Sequence, residues 1–396
     1  MSMIDPIIAV YYVRTVGLNP FQLVLVGMVS QGSALIFQVP TGVVADLYSR
    51  KLSIIMGVFC VGLCFVIEGF LPFLIAITVA EIIRGLGSTF IDGALEAWIA
   101  DEIGMERVGP AFIRYAQIRQ ASALVGTIAG VGLATIQLNV PILLGGSAMM
   151  VLAGVLILVM PEHGFTPEPR NERSPLRAAM NTMRAGARSI SGRPLLVTFM
   201  AIWGIMGLAT EGLDRLWEAH LLANFAFPEL GDLDSVAWFG VINITFMLLS
   251  LAGSEVVRRK LNLQDHAAIA RFMFALSAIR IVSVIWFGLA GDFGSAVTAY
   301  LIMEVCRRIS QPVFTGWLNR QVDSRYRATV FSFGGQIDSV GQFTGGPLIG
   351  LIGTYISLRA AMVAAGLVLA PILPLLLRAS RQGPLRAEQS TASDDA

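Results

Sequence analysis

Acidic and basic side chains occur inside apolar runs of this sequence, where they could pair with each other or exchange protons. Glu81 and Arg84 are three residues apart in one run, and Glu304 and Arg307 have the same spacing in another. On a helix this spacing puts an acid and a base on one face, so each pair could neutralise itself. Each such charge costs about 2.5 to 3.5 kcal/mol at the centre of a bilayer. We therefore expect internal ion pairs, or charges that line a water-filled path.

Two further acids have no such basic neighbour. Asp5 lies just before Pro6, and Asp338 is the only charged residue between positions 328 and 353. An isolated carboxylate among apolar groups favours its protonated form, so both residues are candidates for reversible protonation. If the chain enters a membrane at its first residues, Asp5 is instead a surface residue at the start of a helix.

A third group of charges ends another apolar run. In ATEGLDRLWEAHLL the residues Glu211, Asp214, Arg215 and Glu218 fall on one helical face. We expect an ion-pair cluster or an exterior gate, with Glu211 or Asp214 as alternative proton-binding residues. Other polar or aromatic residues within apolar runs are candidates for lining a substrate cavity: Gln31, Gln38, Ser88, Asp92, Trp203, Asn243, Gln311, Thr315, Trp317 and Gln336.

The elements that must position these residues are membrane-spanning helices. Of 396 residues, 55% are apolar and 14% are charged, whereas soluble domains are about 45 to 50% apolar and about 25% charged. Apolar runs of about 17 to 25 residues suit helices that cross about 30 Å of hydrocarbon. The sequence predicts an all-α polytopic membrane protein with eleven full spans, near residues 20–45, 53–71, 73–98, 112–137, 139–160, 195–222, 235–257, 267–290, 294–318, 328–353 and 356–377.

Residues 1–16 are too short for a full span. They also lack the basic start and the small-residue cleavage site of a secretory signal. We expect them to be the second half of a first helix that is truncated at the N-terminus, which brings the number of spans to twelve. A short tilted helix is the alternative.

Basic residues fall at alternate connections between the spans, for example Arg50 and Lys51 after the second and Arg258 to Lys260 after the eighth. Because cytoplasmic connections are enriched in Lys and Arg, we place these connections and the C-terminus in the cytoplasm and the protein in the cell (inner or plasma) membrane. A net charge of +1 gives no sign of nucleic-acid binding. The three cysteines and three histidines form no ligand pattern, so we expect no metal and no cofactor.

The two halves of the chain resemble each other. Glu81 and Arg84 recur at an offset of 223 as Glu304 and Arg307, and Gly93 meets Gly316 at the same offset. Such internal repeats are typical of transporters. We predict an N-terminal bundle over residues 1–160, a cytoplasmic linker with an amphipathic helix over 161–193, a C-terminal bundle over 194–377 and a disordered cytoplasmic tail over 378–396.

The stretch TGVVADLYSRKL, residues 41–52, resembles the loop signature Gly-x-x-x-Asp-Arg-x-Gly-Arg-Lys of the major facilitator superfamily. Gly42, Asp46, Arg50 and Lys51 keep that signature, while Leu47 and Ser49 replace a base and a glycine. Together with the repeat and the central linker, the chain is similar to this superfamily over its whole length. The resemblance implies two six-helix bundles that rock about a central cavity, with Asp46 in a cytoplasmic charge network that latches the two halves.

Within the superfamily the chain looks most like drug:proton antiporters. Their signature Arg-x-x-Gln-Gly-x-Gly stands here as Glu81-Ile-Ile-Arg84-Gly85-Leu-Gly87, with the glycines kept and the polar pair changed. Their glycine stretch with proline appears in the eleventh span, as residues 341–347. The resemblance implies a monomer that exports small organic molecules in exchange for protons. Uptake by a symporter or facilitator is the alternative within transport, and a transporter-like sensor or a lipid-modifying enzyme is the alternative of another class.

Overall fold

The structure is a computed structural model, which describes residues 3–165, 190, 192–228, 235–262, 265–322 and 327–382. Within these residues the chain is helical apart from short connections. Fourteen α-helices lie in the described part: α1 Asp5–Tyr11, α2 Pro20–Leu47, α3 Arg50–Phe70, α4 Leu74–Ile91, α5 Ala94–Ile103, α6 Met105–Ala134, α7 Val140–Val159, α8 Pro194–Asn224, α9 Ser235–Lys260, α10 His266–Leu289, α11 Phe293–Gln321, α12 Arg327–Tyr355, α13 Leu358–Leu369 and α14 Ile372–Arg381. The all-α prediction is confirmed.

Fewer helices than predicted are apolar enough to count as membrane spans. Eight segments of the described chain are both long and apolar enough: Pro20–Gln38, Arg50–Phe70, Leu74–Ile103, Val140–Val159, Pro194–Asn224, Val236–Lys260, His266–Leu289 and Leu358–Arg381. The other three predicted spans are the helices α6, α11 and α12, each at least 29 residues long. They are more polar than the other eight, because α6 carries three arginines, α11 carries Glu304 and Arg307, and α12 is rich in glycine and carries Asp338.

Two predicted spans are each built from two helices. The fourth span breaks between α4 and α5, where Asp92 is extended and Gly93 has a φ of 77°. The helix that carries Glu81, Arg84 and Ser88 therefore ends at Ile91, and the residues after Gly93 do not extend it in a straight line. The twelfth span breaks between α13 and α14 before Pro371, which has no backbone N–H to donate to the preceding turn.

The signature stretch is mostly helix, and not the loop that the resemblance implied. Helix α2 continues to Leu47 and α3 begins at Arg50, so only Tyr48 and Ser49 connect them. Ser49 is extended, and its hydroxyl oxygen accepts a hydrogen bond of 2.9 Å from the backbone N–H of Leu52. The serine that replaces the family glycine is therefore the N-cap of α3.

The described helices form two compact units. Helices α1 to α7 belong to the first unit, α8 and α10 to α14 belong to the second, and α9 passes from one to the other after Gly240. In the first unit α3 packs against α4 and α7, and in the second α8 packs against α12. The predicted domain limits at residues 160 and 194 stay a prediction. The predicted linker helix and most of the tail fall at residues 166–189 and 383–396, outside the described residues.

Glycines bring α8 and α12 into close contact. A Cβ added at Gly341 would lie 2.5 Å from the carbonyl oxygen of Gly204, and one added at Gly345 would collide with the backbone of Leu208. The small-residue spacing therefore lets the backbones of these helices touch. Gly130 of α6 is similarly pressed against the backbone of Met3.

Candidate functional site

Arg307 is the centre of a partly buried charge cluster in the second unit. Its guanidinium lies 2.7 and 2.9 Å from the two carboxylate oxygens of Asp214, on α8, and 2.8 Å from Glu304 Oε2, one turn earlier on α11. Glu304 is buried, whereas the Asp214 side chain is 40% exposed. The predicted Glu304–Arg307 pair thus exists, and it is joined by an acid from another helix. Charge-assisted bonds of this kind are among the strongest hydrogen bonds in proteins.

Two more charged residues surround this cluster. Arg280 on α10 is buried and interacts electrostatically with Arg307, Glu304 and Asp214. It lines a small cavity with Ser277 and Ser310. Glu218 is also buried, and its Oε2 has no hydrogen-bond partner among the described residues.

The remaining predicted acids of the second unit have partners on their own helices. Glu211 is buried and pairs with Arg215 at 3.0 Å. Asp338 on α12 accepts a hydrogen bond of 2.7 Å from the side-chain amide of Gln342, and it also interacts electrostatically with Asp214. Asp338 therefore lies near the cluster but outside its ion pairs.

The first unit contains the second predicted pair. Arg84 Nε donates to Glu81 Oε2 at 2.6 Å, and Glu81 is buried. The hydroxyl of Tyr12 approaches Glu81 Oε1 at 3.4 Å and Glu68 Oε1 at 2.8 Å. The side chain of Asp5 lies outside the described part of the structure, so its predicted role stays a prediction.

Glu68 is the residue that sequence reasoning missed in this unit. It is fully buried near the end of α3, although it lies beside the connection to α4. That connection holds only Leu71 to Phe73. A helical hairpin this short places the last turns of one helix against the first turns of the next, so the spacing between Glu68 and Glu81 was the available signal.

The signature residues make contacts that are local to the first unit. Arg50 forms an ion pair with Asp101 of α5 and donates to the Ala97 carbonyl oxygen at 2.9 Å. Lys51 donates from its backbone to Glu162 Oε1 at 2.9 Å. The same carboxylate accepts a hydrogen bond of 2.8 Å from the Ser49 hydroxyl. Glu162, in the segment that follows α7, therefore binds the N-terminus of α3.

Asp46 and Gly42 are placed differently. The Asp46 side chain is exposed in the last turn of α2, and space is open around Gly42. A helix C-terminus disfavours a negative charge, so the position of Asp46 is electrostatically unfavourable for the helix. Local conflicts of this kind are typical of functional positions, but the latch role of Asp46 stays a prediction.

The predicted cavity-lining residues are scattered. Trp203 lies within 5.7 Å of Phe314 and 5.8 Å of Phe331, measured between ring centroids. Trp317 is 1% exposed and donates from Nε1 to His266 Nδ1 at 3.0 Å, which are the contacts of a packing residue. Four of the others are exposed: Gln31, Gln38, Asp92 and Gln311. Four are half-buried: Ser88, Asn243, Thr315 and Gln336.

A family model and a curated relative indicate which family this chain belongs to. The family model described as Major Facilitator Superfamily matches residues 1–337. An uncharacterized MFS-type transporter of Bacillus subtilis (strain 168), YxaM, is 24% identical over 382 residues, which are 95% of this chain and 91% of that protein. The described residues contain no group of His, Cys, Asp or Glu side chains that could hold a metal ion.

Solved transporters share the fold at low sequence identity. A bacterial homologue of the human lysosomal transporter Spinster, inward-facing and occupied, has a TM-score of 0.74 at 15% identity, with 96% of this chain and 94% of that chain covered. A POT family transporter in complex with a thioalcohol-conjugated peptide has a TM-score of 0.71 at 13% identity, covering 96% and 93%. The nucleoside transporter NupG has a TM-score of 0.70 at 11% identity, covering 96% and 95%. The chain therefore belongs to the major facilitator superfamily of membrane transporters and is not an enzyme.

Proposed function

We propose that this protein is a proton-coupled exporter of small organic molecules that works by alternating access in the cell membrane. The observation that carries the proposal is the ion pair between Asp214 and Arg307, which joins α8 to α11. One partner is held in place by the buried Glu304, and the other is partly exposed.

Protonation of Asp214 alone would change the ion pair between Asp214 and Arg307. When Asp214 is ionised, both of its oxygens bind the guanidinium of Arg307. A proton on Asp214 removes the charge and one acceptor position, so the link between α8 and α11 weakens, while Glu304 still neutralises Arg307. The exposed fraction of Asp214 gives water access to the proton-binding oxygen.

The remaining parts of the proposal rest on sequence. Lys and Arg at alternate connections support a cytoplasmic C-terminus. The resemblance to drug antiporters supports outward transport, through the glycines of the fourth span and the stretch from Gly341 to Pro347. The peptide and nucleoside transporters of the same fold support small organic molecules as the class of substrate.

The experiment uses bacterial cells that express the chain and are loaded with fluorescent cationic dyes. We expect the cells to retain less dye than cells with an empty vector, and we expect a protonophore to abolish the difference. Asp214→Asn should remove the difference, whereas Glu255→Gln, at an exposed acid paired with Arg258 and Arg259, should keep it. A difference that survives the protonophore would contradict proton coupling.

A further inference from the structure

The buried acid Glu68 has an unusual hydrogen-bond environment. Its side chain is 0% exposed, its Oε1 lies 2.8 Å from the Tyr12 hydroxyl, and its Oε2 has no hydrogen-bond partner among the described residues. Tyr11 holds the same turn, because its hydroxyl donates to the backbone carbonyl of Glu68 at 2.7 Å. An ionised carboxylate in this place would be a buried charge with one strong hydrogen bond, from Tyr12, and a weak one from the Cys64 thiol, which is costly in an apolar environment.

The number of hydrogens available to Glu68, Tyr12 and Glu81 also disfavours an ionised Glu68. The Tyr12 hydroxyl lies between Glu68 Oε1 and Glu81 Oε1, but it has only one hydrogen to donate. If both carboxyls were ionised, one of these oxygen pairs would be a contact between two acceptors. A proton on Glu68 supplies the second hydrogen, whereas Arg84 is bonded to Glu81 Oε2 and the Cys64 thiol beside Glu68 is only a weak donor.

We propose that Glu68 is a proton-binding site of the first unit and that Tyr12 connects it to Glu81. Glu81 is the ionised member, because it pairs with Arg84. Glu68 carries a proton on Oε1 and donates it to the Tyr12 oxygen, while Tyr12 donates its own hydrogen to Glu81. A concerted transfer would break the O–H bonds of Glu68 and Tyr12 and form new ones on Tyr12 and Glu81, so that the negative charge moves from Glu81 to Glu68.

Among the described side chains that interact with Glu68, Arg84 is the one base. The titratable or charged side chains that interact with it are Tyr11, Tyr12, Cys64, Glu81 and Arg84. Helix α7, which also packs on α3, has no charged side chain in its sequence. One base therefore faces two acids. The use of this site in transport rests on the proposed function, whereas the protonation of Glu68 does not.

Infrared spectroscopy of the full chain in membranes tests the protonation directly. A buried carboxylic acid gives a C=O stretching band that shifts in heavy water. We expect Glu68→Gln to lose one component of this band and Glu255→Gln, at an exposed ionised acid, to leave it unchanged. We expect Arg84→Met to increase the band, because Glu81 then takes up a proton as well. A Glu68→Gln spectrum identical to that of the wild type would overturn the proposal.

A second variant keeps the test valid if Glu68→Gln does not fold. Tyr12→Phe keeps both acids but removes the hydroxyl, so the band should remain and shift in frequency; an unshifted band would refute the link through Tyr12. Dye export is then compared in the same variants. Loss of the band with fully gradient-dependent export would refute the use of Glu68 in coupling. Absence of export by the wild type would refute the proposed function and leave the protonation result standing.

Discussion

At Arg307, two carboxylates that bind the same guanidinium have different structural roles. Glu304 is buried and lies on the same helix as the arginine, whereas Asp214 is partly exposed and comes from α8. Neutralising either residue leaves Arg307 with one ion-pair partner, so neither change should leave Arg307 as an unpaired charge, which would cost about 3 to 5 kcal/mol if buried, and the buried Arg280 keeps one acid nearby. Substitution of Glu304 or Asp214 by its amide should therefore change transport without unfolding the protein.

Glu304→Gln should lower gradient-driven dye export by at least about tenfold, equivalent to about 1.4 kcal/mol, because Arg307 then depends on Asp214 alone. The protein should remain in the membrane at wild-type levels. Asp338→Asn should likewise reduce coupled export. Initial export rates, normalised to the amount of protein, give the answer, and unchanged pH-driven export in both variants would contradict a role for these acids.

Asp46→Asn should reduce transport while leaving the stability of the protein within about 0.5 kcal/mol of the wild type, as is usual for an exposed side chain. Asp101→Asn is the comparison, because it removes the ion-pair partner of Arg50, whose Nε already lacks a hydrogen-bond partner in the described chain. We expect a lower melting temperature only for Asp101→Asn. Equal melting and equal transport in the two variants would argue against a separate role for Asp46.

At the scale of the helices, close packing and helix breaks determine where the charged groups lie. Helices α8 and α12 are in contact through glycines, and the break at Gly93 ends α4 two turns after Arg84. The corresponding helix α11 is continuous through Gly316. The sequence repeat therefore does not produce two identical helices.

Gly341→Ala should destabilise the protein by about 1 to 3 kcal/mol, the usual cost of overpacking, because the new methyl group would meet the backbone of α8. Gly335→Ala on the same helix is the matched control, since nothing lies within 4 Å of an added Cβ there. Thermal unfolding in detergent measures both. Equal melting temperatures would show that the contact between α8 and α12 contributes little.

Gly93→Ala should cost about 1 to 2 kcal/mol, because an L side chain disfavours the positive φ at this position. Gly316→Ala, at the equivalent place in α11, should be neutral or slightly stabilising, since alanine favours a helix more than glycine does. The same unfolding measurement applies. If Gly93→Ala is as stable as Gly316→Ala, the break between α4 and α5 is not a fixed feature of the fold.

Much of this arrangement was predictable from periodicity and spacing, and the rest depends on local geometry. Apolar length predicted the helices, and the three-residue spacing predicted the pairs Glu81–Arg84 and Glu304–Arg307. Spacing along one helix could not show that Asp214 contacts Arg307, because the two residues lie on different helices and are 93 positions apart in sequence. The break at Gly93 was also hidden, since an isolated glycine is tolerated within a helix.

At the scale of the whole molecule, the family membership explains two similar units, each with an acid–base cluster that is partly buried. The clusters differ in their extra acid: Glu68 in the first unit has a tyrosine beside it, and Asp214 in the second binds an arginine. Each unit thus holds a carboxyl group whose protonation would change the contacts between helices. We expect proton binding, and not substrate binding alone, to control the transport cycle.

The most direct test of proton coupling is dye movement in proteoliposomes that contain only the purified protein. With an imposed pH gradient and no other energy source, we expect wild-type protein to move a fluorescent cationic dye against its concentration gradient, opposite to the proton flow. Asp214→Asn should allow only downhill movement. Dye movement that is independent of the pH gradient, or that follows the protons in the same direction, would contradict the account.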